Sequence, residues 1–112
     1  MDRLNLEVKH NSVALGLTAQ LQHVIEKAKS KWLLSDRVPK SLELLDSMSI
    51  ALLSVQRFIA EDDIRAVQIS WTDDVFGQLA FEKAFYKQPV IYAEARSLRE
   101  KILKAIIARI RQ

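Results

Sequence analysis

The chain has 112 residues, 49% of them hydrophobic, and a formal net charge of +3. That is the length of one domain, with enough apolar material for a core and too much for wholesale disorder. No cysteine occurs, which excludes disulfides, thiolate metal sites and a cysteine nucleophile; three surplus positive charges permit nucleic-acid or anionic-surface binding without demanding it.

Two glycines and two prolines serve the whole chain. Small β domains need many turns, and turns need those residues, whereas Leu, Ala, Lys, Glu, Gln and Arg favour helix. Composition therefore predicts an all-α fold before any pattern is read. Met1-Asp2-Arg3-Leu4-Asn5 has no apolar signal core, and the longest aliphatic run, Ile50-Ala51-Leu52-Leu53, is far too short to span a membrane. A cytoplasmic protein is the expectation.

Residues 1–10 read as a weakly structured arm, either extended or a helical lead-in. A helix is expected from about Ser12 to Trp32, capped by Asn11 or Ser12, whose side chains can accept from an orphan backbone N–H. Val13, Leu17, Leu21, Val24, Ile25, Ala28 and Trp32 share one face of it. The connector Leu33–Val38 ends at Pro39, which suits a first helical turn. A second helix is expected from about Pro39 to Ala60. Leu44, Leu45, Met48, Leu52, Val55 and Ile59 form its main face, while Leu42, Ile50 and Leu53 point elsewhere. Apolar residues on two sides suggest a central helix, and Ser47, Ala51 and Ser54 form a small-residue strip that lets a neighbour approach.

Residues 61–72 suggest a short extra helix near 62–70, begun by Glu61, Asp62 and Asp63, where the helix dipole favours negative charge. Thr72-Asp73-Asp74 marks the start of a third main helix, expected from about Asp73 to Lys87 and broken at Gln88-Pro89. The last helix is expected from about Val90 to Ile110, with Ile91, Ala95, Leu98, Ile102, Ala105 and Ile106 as its core stripe. The fold expected is one bundle of four main helices with a possible short fifth.

The last two main helices carry more apolar residues than one stripe needs. Phe81 and Phe85 project away from Val75, Leu79 and Tyr86, and Tyr92, Leu103, Ile107 and Ile110 form a second strip on the last helix. Leaving such side chains wet forgoes roughly 1.5–3 kcal/mol each, so a contiguous set of them marks an interface unless another segment covers them. Phe81, Phe85, Tyr92, Leu103, Ile107 and Ile110 are therefore the candidate protein-interface residues, with a homodimer as the simplest case.

Charge is unevenly spread. Lys83 to Gln112 holds eight basic residues against Glu94 and Glu100, a net +6, whereas Glu61 to Asp74 nets −4. Arg96, Arg99, Lys101, Lys104 and Arg111 are candidate phosphate contacts for a nucleic-acid-binding alternative. The opposing reading is a solvated helix face whose charges partly pair with the acidic segment. A helix-turn-helix finds only a faint echo in Gln78-Leu79-Ala80 followed by Gln88-Pro89, because bulky Phe85-Tyr86 occupies the turn and glycine does not.

Catalytic chemistry finds little support. Glu7-x-x-His10 is half of a carboxylate di-metal motif and lacks its second half, and His23-x-x-Glu26 lies off the apolar face. No nucleophile elbow exists, and Gly16 and Gly77 stand too far apart for a phosphate-cradling loop. Arg57, Arg65 and Glu61 could join a helical active site. Arg57 and Glu61, four apart, are more simply read as a helix charge pair. The expectation is a non-catalytic interaction or regulatory protein without cofactor, metal or small-molecule substrate, acting through self-association or a protein partner.

Overall fold

The computed structural model describes residues 3–33 and 40–111, with side chains from Asn11 onward. Among the described residues there are five helices, α1 (Arg3–Trp32), α2 (Lys40–Ala60), α3 (Ile64–Trp71), α4 (Gln78–Ala84) and α5 (Pro89–Ile110), with one 3-10 turn at Asp74–Phe76 between α3 and α4. Among the described residues there is no strand. The all-α fold and the short fifth helix are as the sequence indicates. The connector's residues 34–39, including the proposed helix-starting Pro39, lie outside the described residues.

Side-chain ties fix the direction of each layer. Asp46 of α2 meets Lys29 of α1 at 2.8 Å, while Asp62, just past the end of α2, meets Asn11 at 2.9 Å. These ties make α1 and α2 antiparallel. Ser41 donates to the Lys83 carbonyl oxygen at 3.0 Å, which runs α4 back along α2. Gln88 reaches the Ala28 carbonyl oxygen at 3.3 Å and Arg109 reaches Asp62 at 2.9 Å, which runs α5 antiparallel to α1. The result is an up-down-up-down bundle measuring 55 × 22 × 19 Å, whose third layer is α3, the 3-10 turn and α4 in succession.

The core runs the length of the bundle. Leu21, Ile25, Leu45, Met48, Leu52, Val55 and Ile102 are sealed in it, joined by Phe76, Phe81 and Phe85 from the third layer. α1 is already helical at Arg3, the first described residue, so the lead-in is helical and Asn11 does not cap it. The Asn11 amide instead donates to the Asp62 carboxylate. Val13, expected on the buried face of α1, stands exposed at the edge of the stripe, and Ala14 and Thr18 are buried in its place.

α2 ends in a Schellman motif. The Asp63 N–H bonds to the Phe58 carbonyl oxygen at 2.9 Å, and the Asp62 N–H bonds to that of Ile59 at 3.0 Å. Asp62 holds the left-handed position, φ 56°, where glycine is usual. Asp63 then caps α3 by accepting from the Ala66 N–H at 3.1 Å.

The single helix expected over Asp73–Lys87 is broken. Asp73 caps the 3-10 turn through Val75 N–H at 3.0 Å, and Gly77 is extended. The Phe76 carbonyl oxygen, which an unbroken helix would bond to Ala80, instead accepts from Arg99 Nε at 2.6 Å. Trp71 at the end of α3 and Phe76 at the end of the 3-10 turn stack at 4.5 Å, just before the break. The break rotates α4 relative to a continuous helix, and this change of phase decides which of its side chains face inward.

Candidate functional site

Phe81 and Phe85 do not form an outer face. They are 1% and 2% exposed, with their rings 5.8 Å apart inside the bundle. One uninterrupted helix would hold Val75, Leu79 and Tyr86 on one face and Phe81 and Phe85 nearly opposite. The break at Gly77 turns α4 so that Phe81, Ala84 and Phe85 point to the core, while Leu79 and Tyr86 point out at 63% and 57% exposure.

The apolar surplus therefore lies on a different face. Two adjoining hollows of about 630 and 590 Å³ lie between α2 and α4 and share Leu44, Ser47, Leu79 and Lys83. Tyr86 walls one end of them, and Val75 and Gly77 wall the other. Small residues (Ser47, Gly77 and Ala80) are among those that line them. On the outward side of α2, Ile50 and Leu53 are 68% and 55% exposed. α2 packs on α1 and on the third layer but keeps this side open. It is apolar on two sides, as its sequence indicates, and packs on α1, α3, the 3-10 turn and α4.

The second strip on α5 is partly wet. Leu103 and Ile110 are exposed, Ile107 and Tyr92 are half-buried, and all four lie on the outer flank of the helix. They are spread along the helix, and only Tyr92 lines a groove with Arg96. The groove by Tyr92, Arg96, Ser97 and Glu100 is the smaller one, about 330 Å³.

The candidate phosphate contacts divide. Arg96, Lys101 and Lys104 on α5 and Arg111 just past its end are exposed. Arg99 is committed to structure: its Nε holds the Phe76 carbonyl oxygen and its guanidinium lies 5.8 Å from the Phe81 ring centre. Of the acidic segment 61–74, Asp62 forms an ion pair with α5, through Arg109. The Arg57–Glu61 helix pair is not formed. Arg57 instead lies 4.8 Å over the Phe58 ring.

Two acids and bases are displaced from their ordinary ionisation. Hydrogen bonds from Asn11, then Arg109, hold the Asp62 carboxyl below its usual range. The Asp46 hydrogen bond leads in raising Lys29, with Glu26 adding to it. Both carry out structural ties between helices. Among the described residues there is no group of three His, Asp or Glu able to hold a metal, and no helix is long and apolar enough to cross a membrane.

What fold and surface define is a class: an antiparallel helical bundle that leaves one α2–α4 face apolar and grooved. Comparisons with protein-family models, with curated proteins and with solved structures found no match.

Proposed function

We propose that this chain is a non-catalytic helical interaction module that docks protein through its α2–α4 face. The observation that carries the reading is the gathering of Leu44, Leu79 and Tyr86 around hollows lined by small residues, with Ile50 and Leu53 close by on α2. Contiguous exposed apolar surface of this kind, rimmed by Lys40, Glu43, Glu82 and Lys83, has the anatomy of an interface: an apolar centre and a charged rim. A photo-crosslinking side chain placed at Leu79 tests it, with one at exposed His23 on the outward side of α1 as the control. Protein adducts of defined mass from position 79 and none from position 23 are expected in cells. Equal adducts from both, or none from either, remove the reading.

A second reading has its own support in the segregation of charge. α1 and α5 lie side by side, and Lys27, Lys31, Lys101 and Lys104 stand exposed on them. Lys27 has one acidic neighbour, Glu94 at 3.7 Å. With exposed Arg96 and Arg111 these lysines add to a basic surface that suits phosphate contacts. Titrating salt against binding to mixed DNA and RNA tests it: affinity falling steeply with salt supports a nucleic-acid-binding regulator, and no binding at low salt discards it.

A further inference from the structure

On the outward side of α2, Glu43, Ser47, Ile50, Ser54, Arg57 and Glu61 recur at intervals of four and three residues, forming one continuous stripe. Its centre is apolar, at Ile50. On either side stand the small residues Ser47 and Ser54. Beyond them come opposite charges, Glu43 toward the N-terminus and Arg57 toward the C-terminus, each seven residues from Ile50. Both are exposed, and neither makes an ion pair among the described residues.

We infer that the occupant of this face is a second copy of the chain, packed with its α2 antiparallel across a two-fold axis at Ile50. The axis sets Ile50 against Ile50 of the partner subunit. It also sets Glu43 of each copy against Arg57 of the partner subunit, twice over by symmetry. Lys40 and Glu61 meet in the same sense at the two ends. Ser47 and Ser54 let the two helices approach closely on both sides of the axis. A parallel pairing would set Glu43 against Glu43 of the partner subunit and Arg57 against Arg57 of the partner subunit, like charge on like charge, so the charge pattern selects the antiparallel form.

The inference rests on the reading of the α2–α4 face as a docking surface and names its occupant. The same two-fold axis keeps both copies of α4 on one side of the α2 pair, so Leu79 and Tyr86 also face the partner rather than water. A face as long as α2 (about 31 Å at the helical rise) and no wider than the bundle's 22 Å breadth offers at most about 700 Å² per copy, the lower part of the range for specific association. The dimer is accordingly expected to dissociate in the micromolar range rather than to be obligate.

Sedimentation of the full chain across the micromolar range gives the first measurement, with mass rising from 12.8 kDa to twice that value. Glu43→Arg or Arg57→Glu alone sets like charges opposite each other and is expected to weaken the dimer roughly tenfold. Combining both swaps the two charges and restores association, which a variant that merely unfolds cannot do. The chain lacks cysteine, so direction is read by oxidation. Ile50→Cys cross-links with itself, and Ser47→Cys cross-links with Ser54→Cys in a mixture but with itself slowly, because bridged Cα atoms lie within about 7 Å. A chain that stays monomeric to hundreds of micromolar, or a dimer indifferent to both single reversals, overturns the inference. If the monomer still forms adducts with another protein from position 79, the docking surface stands and only its occupant is wrong. If position 79 forms none, both fail.

Discussion

Arg109 donates from Nη2 to Oδ1 of Asp62 at 2.9 Å, and the Asn11 amide donates to the same oxygen at 2.9 Å. One carboxylate in the α2–α3 turn thus ties α1 and α5 together at the end of the bundle. The Arg109 side chain is mostly buried, whereas that of Asp62 is about half open to water. Asp62→Asn keeps the shape and removes the charge. Water on the open side screens the pair, so the loss expected is about 1 kcal/mol. Equilibrium urea unfolding at neutral pH measures it.

The same carboxylate sets a pH dependence. Its pKa in the folded chain is depressed, first by the Asn11 hydrogen bond and then by Arg109, from the ordinary 3.8. Protons therefore bind the unfolded state more readily, and stability falls as pH drops. The contribution is whole above the ordinary carboxylate range and disappears as pH falls from there through the folded value. Native chain and Asp62→Asn should differ in stability at pH 7 and converge in acid. A constant difference down to pH 2 would contradict this account.

Asp62 and Lys87 share a backbone conformation but not a role. Both are left-handed, at φ 56° and 61°. Glycine adopts that region without strain but loses more freedom on folding, so Lys87→Gly is expected to stabilise by about 0.5 kcal/mol. Asp62→Gly relieves the same strain yet discards the ties to Asn11 and Arg109, and is expected to be neutral or destabilising. Opposite ranking of the two variants in thermal unfolding would show that the turn's side chain is idle.

The rotation of α4 has a direct energetic test. Phe81→Ala empties a sealed core position and should cost about 3–5 kcal/mol, whereas Leu79→Ala on the outward side should stay within about 0.5 kcal/mol. The reverse order would mean that α4 faces the other way and that the α2–α4 hollows are not open.

Arg99 separates structure from binding on α5. Arg99→Ala takes the donor from the Phe76 carbonyl oxygen and should cost about 1–2 kcal/mol. Lys104→Ala should leave stability unchanged. If the basic surface binds nucleic acid, it should lower the salt dependence of that binding by about one unit of slope. Loss of stability in both variants would place Lys104 in the fold as well.

Helix content, the two chain reversals near Asp62 and Gln88, and the inward stripes of α2 and α5 were legible in the residues themselves. Apolar spacing and helix-stop chemistry are local properties, set by 3.6-residue periodicity and by backbone donors and acceptors. The two-sided apolar pattern of α2 was legible too. What covers each side was not, because periodicity records phase within a helix and says nothing about which helices are neighbours.

The phase of the third layer illustrates the limit. One carbonyl oxygen, that of Phe76, is taken by Arg99 from a helix begun 13 residues later in the chain. The bond accompanies a break at extended Gly77, beyond which Phe81 and Phe85 face inward and Leu79 and Tyr86 face the surface. Sequence by itself determined that this protein is a helical bundle with apolar side chains to spare. The tertiary structure decided which side chains those are, because inside and outside are assigned by packing between segments and not by the pattern within one.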